Sequence, residues 1–270
     1  RACYCDDGEY IVRGSGCGTT KVWNAVNGLS LADMKKHTGL INNAAFSHDG
    51  EFVVTTSEDN PSRVWNVAKG ILLSNLKGHT DFVTGASFSF NGKYVVTTSW
   101  DNTAKVWNAT SGQLVANLVG HTGAVNSAAF SPDGNYIVTA SADSTARVWN
   151  AASGRQQFSL KGHTWVVNSA SFSPDGKYIV TASGDSTARV WDAVRGKLMF
   201  SLKGHTSWVN KAVFSHDGKF IVTASADNTA KGWNAINGQL LKDLKGHTGW
   251  VNSPVYSADG GYIITFAEDT

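Results

Sequence analysis

Charged side chains are scarce in this chain. Lys, Arg, Asp and Glu make up 16% of its 270 residues, whereas about 25% is typical of soluble domains. The formal net charge is +2, and the sequence contains no run of Lys or Arg. Proteins that bind nucleic acid rely on dense contacts between basic side chains and phosphates. A nucleic-acid partner is therefore not expected.

Long apolar runs are lacking as well. No stretch of the sequence approaches the ~18 residues of a membrane span, so membrane insertion is not expected. No leader with a charged and then an apolar segment precedes the first predicted strand. The chain opens at Arg1 in the middle of a repeat, and we interpret it as part of a longer protein from which a leader could have been removed. A cytoplasmic location is slightly favoured.

Cysteine is rare, and its three copies lie near the N-terminus at Cys3, Cys5 and Cys17. Cys3 and Cys5 alternate along one predicted strand, so they would share one face of it. This spacing matches neither a disulfide framework nor a zinc site, and we interpret the three side chains as small buried apolar groups. A disulfide or an adventitious metal site is the alternative. No cofactor and no metal are predicted.

The dominant feature that is present is a repeat with a period of 42 residues and no insertions. Two neighbouring repeats, which start at His121 and His163, are identical at 31 of 42 positions. Such regular self-similarity is typical of proteins built from stacked repeats. Tryptophan recurs with this period at Trp23, Trp65, Trp107, Trp149, Trp191 and Trp233, and histidine, preceded by Gly or Lys, recurs at His37, His79, His121, His163, His205 and His247.

Each repeat has the pattern of four short β-strands. In the repeat that covers residues 121–162, the predicted strands are 125–131, 136–141, 146–149 and 156–160. Pro132 and Gly134 supply the backbone angles that the turn between the first two strands requires. Four short strands cannot bury both faces of their sheet alone, so neighbouring sheets must stack on one another.

A Gly-His pair, a Ser-Pro-Asp-Gly turn, a Ser-x-Asp turn and a closing Trp recur together in this order, and on these motifs the chain resembles the WD-repeat family over essentially its whole length. At the periodic Trp, the Trp-Asp dipeptide occurs once, at Trp191-Asp192, because Asn follows Trp in the other copies. The resemblance implies an all-β fold, namely a β-propeller of four-stranded antiparallel blades that forms one domain over residues 1–270.

The number of blades follows from the period. The 270 residues exceed six periods of 42 and fall short of seven. In a six-bladed ring, residues 10–15 and 262–267 would compete for the same second-strand position. We therefore predict a seven-bladed propeller with one incomplete blade, in which the last repeat has two strands. An open arc from a longer array is the alternative.

A set of Ser, His and Asp recurs in the repeats, for example Ser141, His121 and Asp143. Taken alone, this set would suggest nucleophilic hydrolysis, but its repetition beside each Trp argues for a structural role. The resemblance implies that His bridges the turn Asp and the strand Ser, and that Ser accepts from the indole N–H. We expect this network to decay in the end repeats, where Cys17 replaces Asp beside Ser15 and Ala267 replaces Ser.

The repeats diverge most at aromatic residues that lie outside the periodic pattern. They occur between His and the first strand, or just before the Asp turn, and the resemblance places both loops on the usual binding face of the family. The next position inward is polar in every repeat and is mostly Asn. The predicted partner-binding residues are Phe82, Trp100, Trp165, Trp208, Trp250, Asn126, Asn168, Asn210 and Asn252. The alternative is that these indoles fold over the loops and plug the channel mouth.

Exposed aromatic clusters are typical of binding surfaces. We therefore predict a non-enzymatic scaffold that binds a protein or peptide through this face, within a larger chain or assembly. The first alternative is lectin-like carbohydrate binding on the same face, because indole rings and amides with little charge also suit sugars. A structural, self-assembling repeat module is the second alternative. Analogy at the level of the fold does not identify the partner.

Overall fold

A computed structural model of the chain describes residues 2–4, 10–14, 18–257 and 259–269. Within these ranges every regular element is a β-strand, and the strands form six four-stranded sheets and one two-stranded sheet. Each sheet corresponds to one repeat, and we call it a blade. The prediction of an all-β propeller built from four-stranded antiparallel blades, with one incomplete blade, is confirmed.

The first three blades lie in chain order. Blade 1 consists of β1 (Ala2–Tyr4), β2 (Tyr10–Gly14), β3 (Thr19–Asn24) and β4 (Ser30–Lys35). Blade 2 consists of β5 (Ile41–Phe46), β6 (Phe52–Ser57), β7 (Ser62–Asn66) and β8 (Ile71–Leu76). Blade 3 consists of β9 (Val83–Phe88), β10 (Tyr94–Ser99), β11 (Thr103–Asn108) and β12 (Leu114–Val119).

The remaining blades repeat this plan. Blade 4 consists of β13 (Val125–Phe130), β14 (Tyr136–Ser141), β15 (Thr145–Asn150) and β16 (Gln156–Lys161). Blade 5 consists of β17 (Val167–Phe172), β18 (Tyr178–Ser183), β19 (Thr187–Asp192) and β20 (Leu198–Lys203). Blade 6 consists of β21 (Val209–Phe214), β22 (Phe220–Ser225), β23 (Ala230–Asn234) and β24 (Leu240–Leu244). In the described residues, blade 7 consists of β25 (Val251–Tyr256) and β26 (Ile263–Ala267).

Strands within a blade pair antiparallel and in chain order. In blade 4, Trp149 of the third strand pairs with Ile137 of the second, and Thr139 pairs with Arg147. Trp149 therefore lies on the same face of the sheet as Thr139, because it is opposite Ile137, two residues before Thr139 on the second strand. This register recurs in blade 5, where Trp191 pairs with Ile179.

Three turns in each blade from blade 2 to blade 6 contain a residue with a left-handed backbone, and the first two of them show why. In blade 4, Gly134 ends the first turn at φ 73°, which glycine adopts without steric cost. Ser144 occupies the centre of the Asp143-Ser144-Thr145 turn at φ 66°, and the side chain of Asp143 accepts from the backbone N–H of Thr145 at 3.0 Å. The short polar residues of this turn thus serve its backbone, as their sequence pattern indicates.

The hydrophobic core lies between blades rather than within them. The described residues form six clusters of buried side chains, and each cluster joins two consecutive blades from blade 1 to blade 7. Between blades 4 and 5, for example, Val138 and Val148 pack with Ile179 and Trp191, and all four are at most 2% exposed. From blade 2 to blade 6, the repeat Trp thus packs against the preceding blade, which is why one repeat cannot fold as a unit on its own.

Two predictions, the burial of the cysteines and the decay of the network in the first repeat, fall on residues outside this description. Cys5, Ser15 and Cys17 lie outside the described residues, and the side chain of Cys3 is not described. In the described ranges, no helix is long and apolar enough to cross a membrane.

Candidate functional site

A buried hydrogen-bond network occupies each complete repeat from blade 2 to blade 6. In blade 4, Nδ1 of His121 lies 2.7 Å from the carboxylate of Asp143, and Nε2 lies 2.7 Å from Oγ1 of Thr139. The indole N–H of Trp149 donates to the same Oγ1 at 2.9 Å. The equivalent His, Thr and Trp are His37, Thr55 and Trp65; His79, Thr97 and Trp107; His163, Thr181 and Trp191; and His205, Thr223 and Trp233.

The prediction that Ser141 is the central hydroxyl of this network is wrong. Its Oγ donates to the carbonyl of Gly123 at 2.9 Å and accepts from the N–H of Asp143 at 3.1 Å, so it holds the turn instead. The reason is the register, because Thr139 lies one step closer to the Trp along the same face of β14. The sequence contains the missed signal, since Thr recurs with the period of 42 at Thr55, Thr97, Thr139, Thr181, Thr223 and Thr265.

The protonation states follow from burial and hydrogen bonding. Burial lowers the pKa of His121, and it outweighs the hydrogen bond and the charge of Asp143, which raise that pKa. Burial alone would raise the pKa of Asp143, but hydrogen bonds from Thr145 and His121 hold it at about 2. The imidazole is therefore neutral and the carboxylate ionised near pH 7. Nδ1–H donates to Asp143, the hydroxyl of Thr139 donates to Nε2, and every member of the network is satisfied.

This geometry does not resemble an accessible nucleophile. Thr139 and Ser141 are both fully buried, and Trp149, which covers the hydroxyl of Thr139, is 1% exposed. A substrate would have to displace the Trp and open the core between two blades. The network therefore stabilises the contact between blades.

The network is more complete in blade 7 than we predicted. His247 lies 2.6 Å from Asp269 and 2.6 Å from Thr265. Three of the four members are thus in place, because Thr265 and not Ala267 holds the central position. No indole covers them in the described residues, and the side chain of His247 is 26% exposed, compared with 1% for His205.

The aromatic residues that diverge between repeats lie at one end of the blades. The loop before the first strand and the turn between the second and third strands are joined by backbone hydrogen bonds. The N–H of Trp100 donates to the carbonyl of Phe82 at 2.9 Å, and the N–H of Ala226 donates to that of Trp208 at 2.9 Å. We call this end of the blades the upper face.

The four indoles of the upper face are accessible. Trp100, Trp165, Trp208 and Trp250 are between 51% and 58% exposed. Trp100 lies beside half-buried Phe82, with ring centroids 5.2 Å apart, so these two aromatic residues of blade 3 form a pair. The other three indoles lie on blades 5, 6 and 7. At the corresponding positions, blade 4 carries Gly123, Ala124 and Ala142.

Trp165 is positioned by a glycine in the neighbouring turn. Its ring lies directly on Gly184, and a Cβ atom there would clash with Cδ1 of the indole. The carbonyl of Trp165 also accepts from Ser183 at 3.1 Å. The two loops of blade 5 thus hold this indole against the backbone while about half of its surface stays exposed.

The predicted ring of amides has a structural contact that the sequence analysis missed. One N–H of Asn126 donates to the carbonyl of Val167 at 3.0 Å, and Asn168 and Asn210 make the same contact to the following blade. Asn252 is exposed and donates to the carboxylate of Glu268 at 2.9 Å. Each amide offers further donor and acceptor positions beyond this one bond.

The opposite end of the blades contains a cavity that the sequence analysis also missed. Its volume is about 440 Å³, and His48 and His216 contribute to its lining. The aromatic residue that closes the first strand of five consecutive blades lines it as well, namely Phe46, Phe88, Phe130, Phe172 and Phe214. The signal in the sequence is the recurrence of Phe with the period of 42. In the described ranges, no group of three or more His, Cys, Asp or Glu side chains could hold a metal ion.

Comparison with known families reproduces the 42-residue period of the repeat. The family model described as "WD domain, G-beta repeat" matches the chain six times, and the first five matches each end on the residue that follows a repeat Trp. The matched residues are 28–66, 70–108, 112–150, 154–192, 196–234 and 238–270. No curated protein matches the chain.

Proposed function

The chain belongs to the WD-repeat family, whose repeats mediate protein–protein interaction and scaffolding, and from this premise we propose that it is a non-catalytic scaffold that binds a protein or peptide through its upper face. The contact residues would be Phe82, Trp100, Trp165, Trp208 and Trp250, with Asn126, Asn168, Asn210 and Asn252 beside them. The observation that carries this proposal is that four indoles, each more than half exposed, share one end of the blades.

Energetics support a binding role for these indoles. An indole is among the largest apolar groups in proteins, and Trp dominates the few residues that carry most of the free energy of binding. The blades beneath are held together by buried clusters, so the upper face is presented by a rigid frame. A rigid surface loses little conformational entropy on binding.

The chemistry of the upper face favours a largely uncharged partner segment. The exposed indoles would cover apolar side chains, and the remaining donors and acceptors of the Asn amides would bind backbone amides of an extended peptide. The aromatic residues are distributed unequally on the upper face, because blades 3, 5, 6 and 7 carry them and blade 4 does not. The surface is therefore asymmetric, which favours one orientation of a bound segment.

A capture experiment from a native extract tests this proposal. The wild-type protein and a variant with Trp165→Ala, Trp208→Ala and Trp250→Ala are used as baits, and bound proteins are quantified by mass spectrometry. The matched control replaces three exposed apolar residues at turns between third and fourth strands, Val26→Ala, Val194→Ala and Ile236→Ala, which are 79–86% exposed.

We expect a partner that binds the wild type and the control variant but not the indole variant. A glycan array, read with the wild type and with Trp208→Ala, tests the carbohydrate alternative. A saccharide signal that Trp208→Ala abolishes, without any captured protein, would replace the protein partner with a sugar. Equal capture by all three baits would refute the assignment of the upper face.

A further inference from the structure

The end of the blades opposite the upper face surrounds a cavity with an aromatic wall. We call this end the lower face and its cavity of about 440 Å³ the central cavity. Five Phe side chains from the first strands of blades 2 to 6 line it, and each of them is half-buried. Serine hydroxyls line it as well, but they are engaged in the turns, since Ser173 donates to Asp175 at 2.6 Å. A cavity of this size with a mainly aromatic wall is typical of a ligand site.

A second cavity, of about 350 Å³, lies between blades 4 and 5 and adjoins the first. Its outer end is lined by Gln157 and Phe158 of β16, the outermost strand of blade 4. The two cavities share four residues of their walls, Ser131, Pro132, Phe172 and Pro174. They therefore form one groove from the centre of the lower face to its rim, and we call it the lower groove.

The length of the lower groove follows from the geometry of the blade. Three spacings of about 4.8 Å separate the first strand of a blade from its fourth, so the groove is about 14 Å long. An extended chain rises roughly 3.3 Å per residue, so about five residues of such a chain would span this distance. The elongated shape thus fits an extended peptide segment better than a compact small molecule.

The turns that form the shared walls are held rigidly. Gly134 and Gly176 end the turns after the first strands of blades 4 and 5 at φ 73° and 70°. The two turns lie side by side, because a Cβ atom on Gly176 would lie 3.7 Å from Cδ of Pro132. A preformed groove loses little conformational entropy when a segment binds.

The charge beside the lower groove is specific to blade 4. Asp133 is exposed and lines the groove in the turn between β13 and β14. In blade 5 the equivalent Asp175 forms an ion pair with Lys177 at 3.3 Å, and blade 6 repeats this pair. Blade 4 carries Asn135 in place of the lysine, and its amide donates to Asp133 at 2.8 Å. In the described residues no basic side chain pairs with Asp133, so its charge is complementary to a Lys or Arg of a ligand.

We propose that the lower groove binds an extended segment of a partner protein with an aromatic residue, a Lys or Arg two positions away and an aliphatic residue two positions further, in either chain direction. Alternate residues of an extended chain share one side, so all three side chains face the groove. The aromatic ring enters the central cavity, the basic group pairs with Asp133, and the aliphatic side chain covers Phe158. This site is separate from the upper face and does not depend on the function proposed for that face.

The test uses two synthetic pentapeptides, Trp-Ser-Lys-Ser-Leu and its reverse Leu-Ser-Lys-Ser-Trp, each with blocked ends and a fluorophore on a flexible linker at the Leu end. Binding to the whole chain is measured by fluorescence polarisation at low salt. We expect at least one of them to bind with one peptide per chain. Replacing its Trp with Ala should weaken binding about tenfold, as for an aromatic anchor. Replacing its Lys with Gln should weaken binding about threefold, as is typical of a partly exposed ion pair.

Variants of the protein identify the carboxylate. Asp133→Asn should weaken the Lys peptide about threefold and leave the Gln peptide unchanged, since both changes remove the same ion pair. The matched control is Asp217→Asn, in the equivalent turn of blade 6, which should leave the binding of both peptides unchanged. The variant with Trp165, Trp208 and Trp250 replaced by Ala should bind the peptide as the wild type does, so failure at one face is distinguishable from failure at the other.

Photocrosslinking locates the aromatic residue without any change to the protein. The Trp of the peptide is replaced by p-benzoylphenylalanine, the complex is irradiated, and the crosslinked residues are identified by mass spectrometry. We expect crosslinks within residues 130–136 and 172–178, which include the shared walls of the two cavities. Crosslinks confined to the loops of the upper face would overturn the proposal.

Three further results would overturn it. Neither peptide could bind, or the Lys and Gln peptides could bind equally to the wild type, in which case Asp133 recognises no basic group. In the third result, N-acetyltryptophan amide competes as strongly as the unlabelled pentapeptide. The central cavity would then be a site for a single aromatic compound, and the assignment to a peptide segment would fall.

Discussion

Blades 5 and 7 carry the same three hydrogen-bonded residues, a His, an Asp and a Thr, at equivalent positions. The two blades differ in whether a Trp covers these residues. In both, a His bridges an Asp and a Thr at 2.6–2.8 Å. In blade 5 the third strand adds Trp191, and the side chain of His163 is fully buried, whereas that of His247 in blade 7 is 26% exposed. Two strands and one loop thus suffice to align the hydrogen bonds, while the third strand supplies the burial that makes them strong.

The largest difference between the two blades should appear on removal of the central hydroxyl. Thr181→Val leaves Nε2 of His163 and the indole N–H of Trp191 without a partner in the core, and each unsatisfied group costs roughly 1–3 kcal/mol. We expect the free energy of unfolding to fall by about 3 kcal/mol. Thr265→Val in blade 7 should cost less than about 1 kcal/mol, because water can reach the groups that it leaves unpaired.

Urea denaturation followed by circular dichroism measures both losses. The control is Thr110→Val, at an exposed position in the turn after β11. It measures the effect of replacing Thr with Val outside the network. Equal losses at Thr181 and Thr265 would show that the indole and its burial add nothing to the network, and the comparison between the blades would fail.

Acid should weaken the complete blades through their buried histidines. Burial lowers the pKa of His163 in the folded state, and the same holds for His37, His79, His121 and His205. The unfolded chain therefore binds more protons, and the free energy of unfolding falls as pH drops below about 6.5. Asp143 and Asp227, whose pKa values are held at about 2, extend the loss below about pH 3.8.

The measurement is a series of urea denaturation curves between pH 8 and pH 4. One histidine with a lowered pKa contributes at most about 1.4 kcal/mol per pH unit. His163→Gln should therefore reduce the slope of stability against pH, although it also lowers stability at pH 8. A slope that is unchanged in this variant would mean that His163 is protonated in the folded protein.

A gain of binding should follow from extending the aromatic surface to blade 4. Ala124 occupies the position of Trp208 and Trp250, and Ala124→Trp would place an indole between blades 3 and 5 on the upper face. One well-placed aromatic contact contributes about 1 kcal/mol, so we expect the affinity for the captured partner to rise about fivefold. Surface plasmon resonance with wild type and Ala124→Leu as controls measures this effect, and an unchanged or lower affinity would indicate that the partner does not reach blade 4.

The smallest effect is expected at the glycine that faces blade 7. Gly232 lies in β23, where blade 5 has Val190, and a Cβ atom there would meet Lys242 at an ordinary contact of 3.5 Å. Gly232→Ala should raise the free energy of unfolding by about 0.5 kcal/mol, because alanine restricts the unfolded chain. Gly196→Ala is the opposing control. It should destabilise the protein, since Gly196 has φ 65° and its Cβ would lie 2.7 Å from Phe158. Thermal unfolding of the two variants should shift in opposite directions.

Much of the architecture could be predicted from the sequence because it is periodic. The 42-residue spacing of His and Trp, with turn residues such as Pro132 and Gly134, predicts four strands per repeat within one or two residues of the observed ends. The same periodicity contains Thr139 and Phe130, yet their roles were missed. Thr is a common strand residue, and its selection over Ser141 as the central hydroxyl depends on which side chain faces the indole.

The location of the candidate site could be predicted from the sequence, but several of its contacts could not. Divergence between copies identifies Trp165, Trp208 and Trp250 as the unusual residues, and the structure brings their loops to one end of the blades. That Asn126 and Asn168 each bond the backbone of the next blade was not predictable, because the contact joins residues 41 apart in the chain. Their further role in recognition stays a prediction.

The repeat, the strands and the residue types of the network can be predicted from the sequence alone, since each of these depends on neighbours within one period. The fold selects which hydroxyl Trp149 binds and which amides are engaged between blades. The physical reason is that burial comes from the adjoining strand or blade. Identical sequence motifs therefore form a closed core where a neighbour covers them and an accessible set of acceptors where none does.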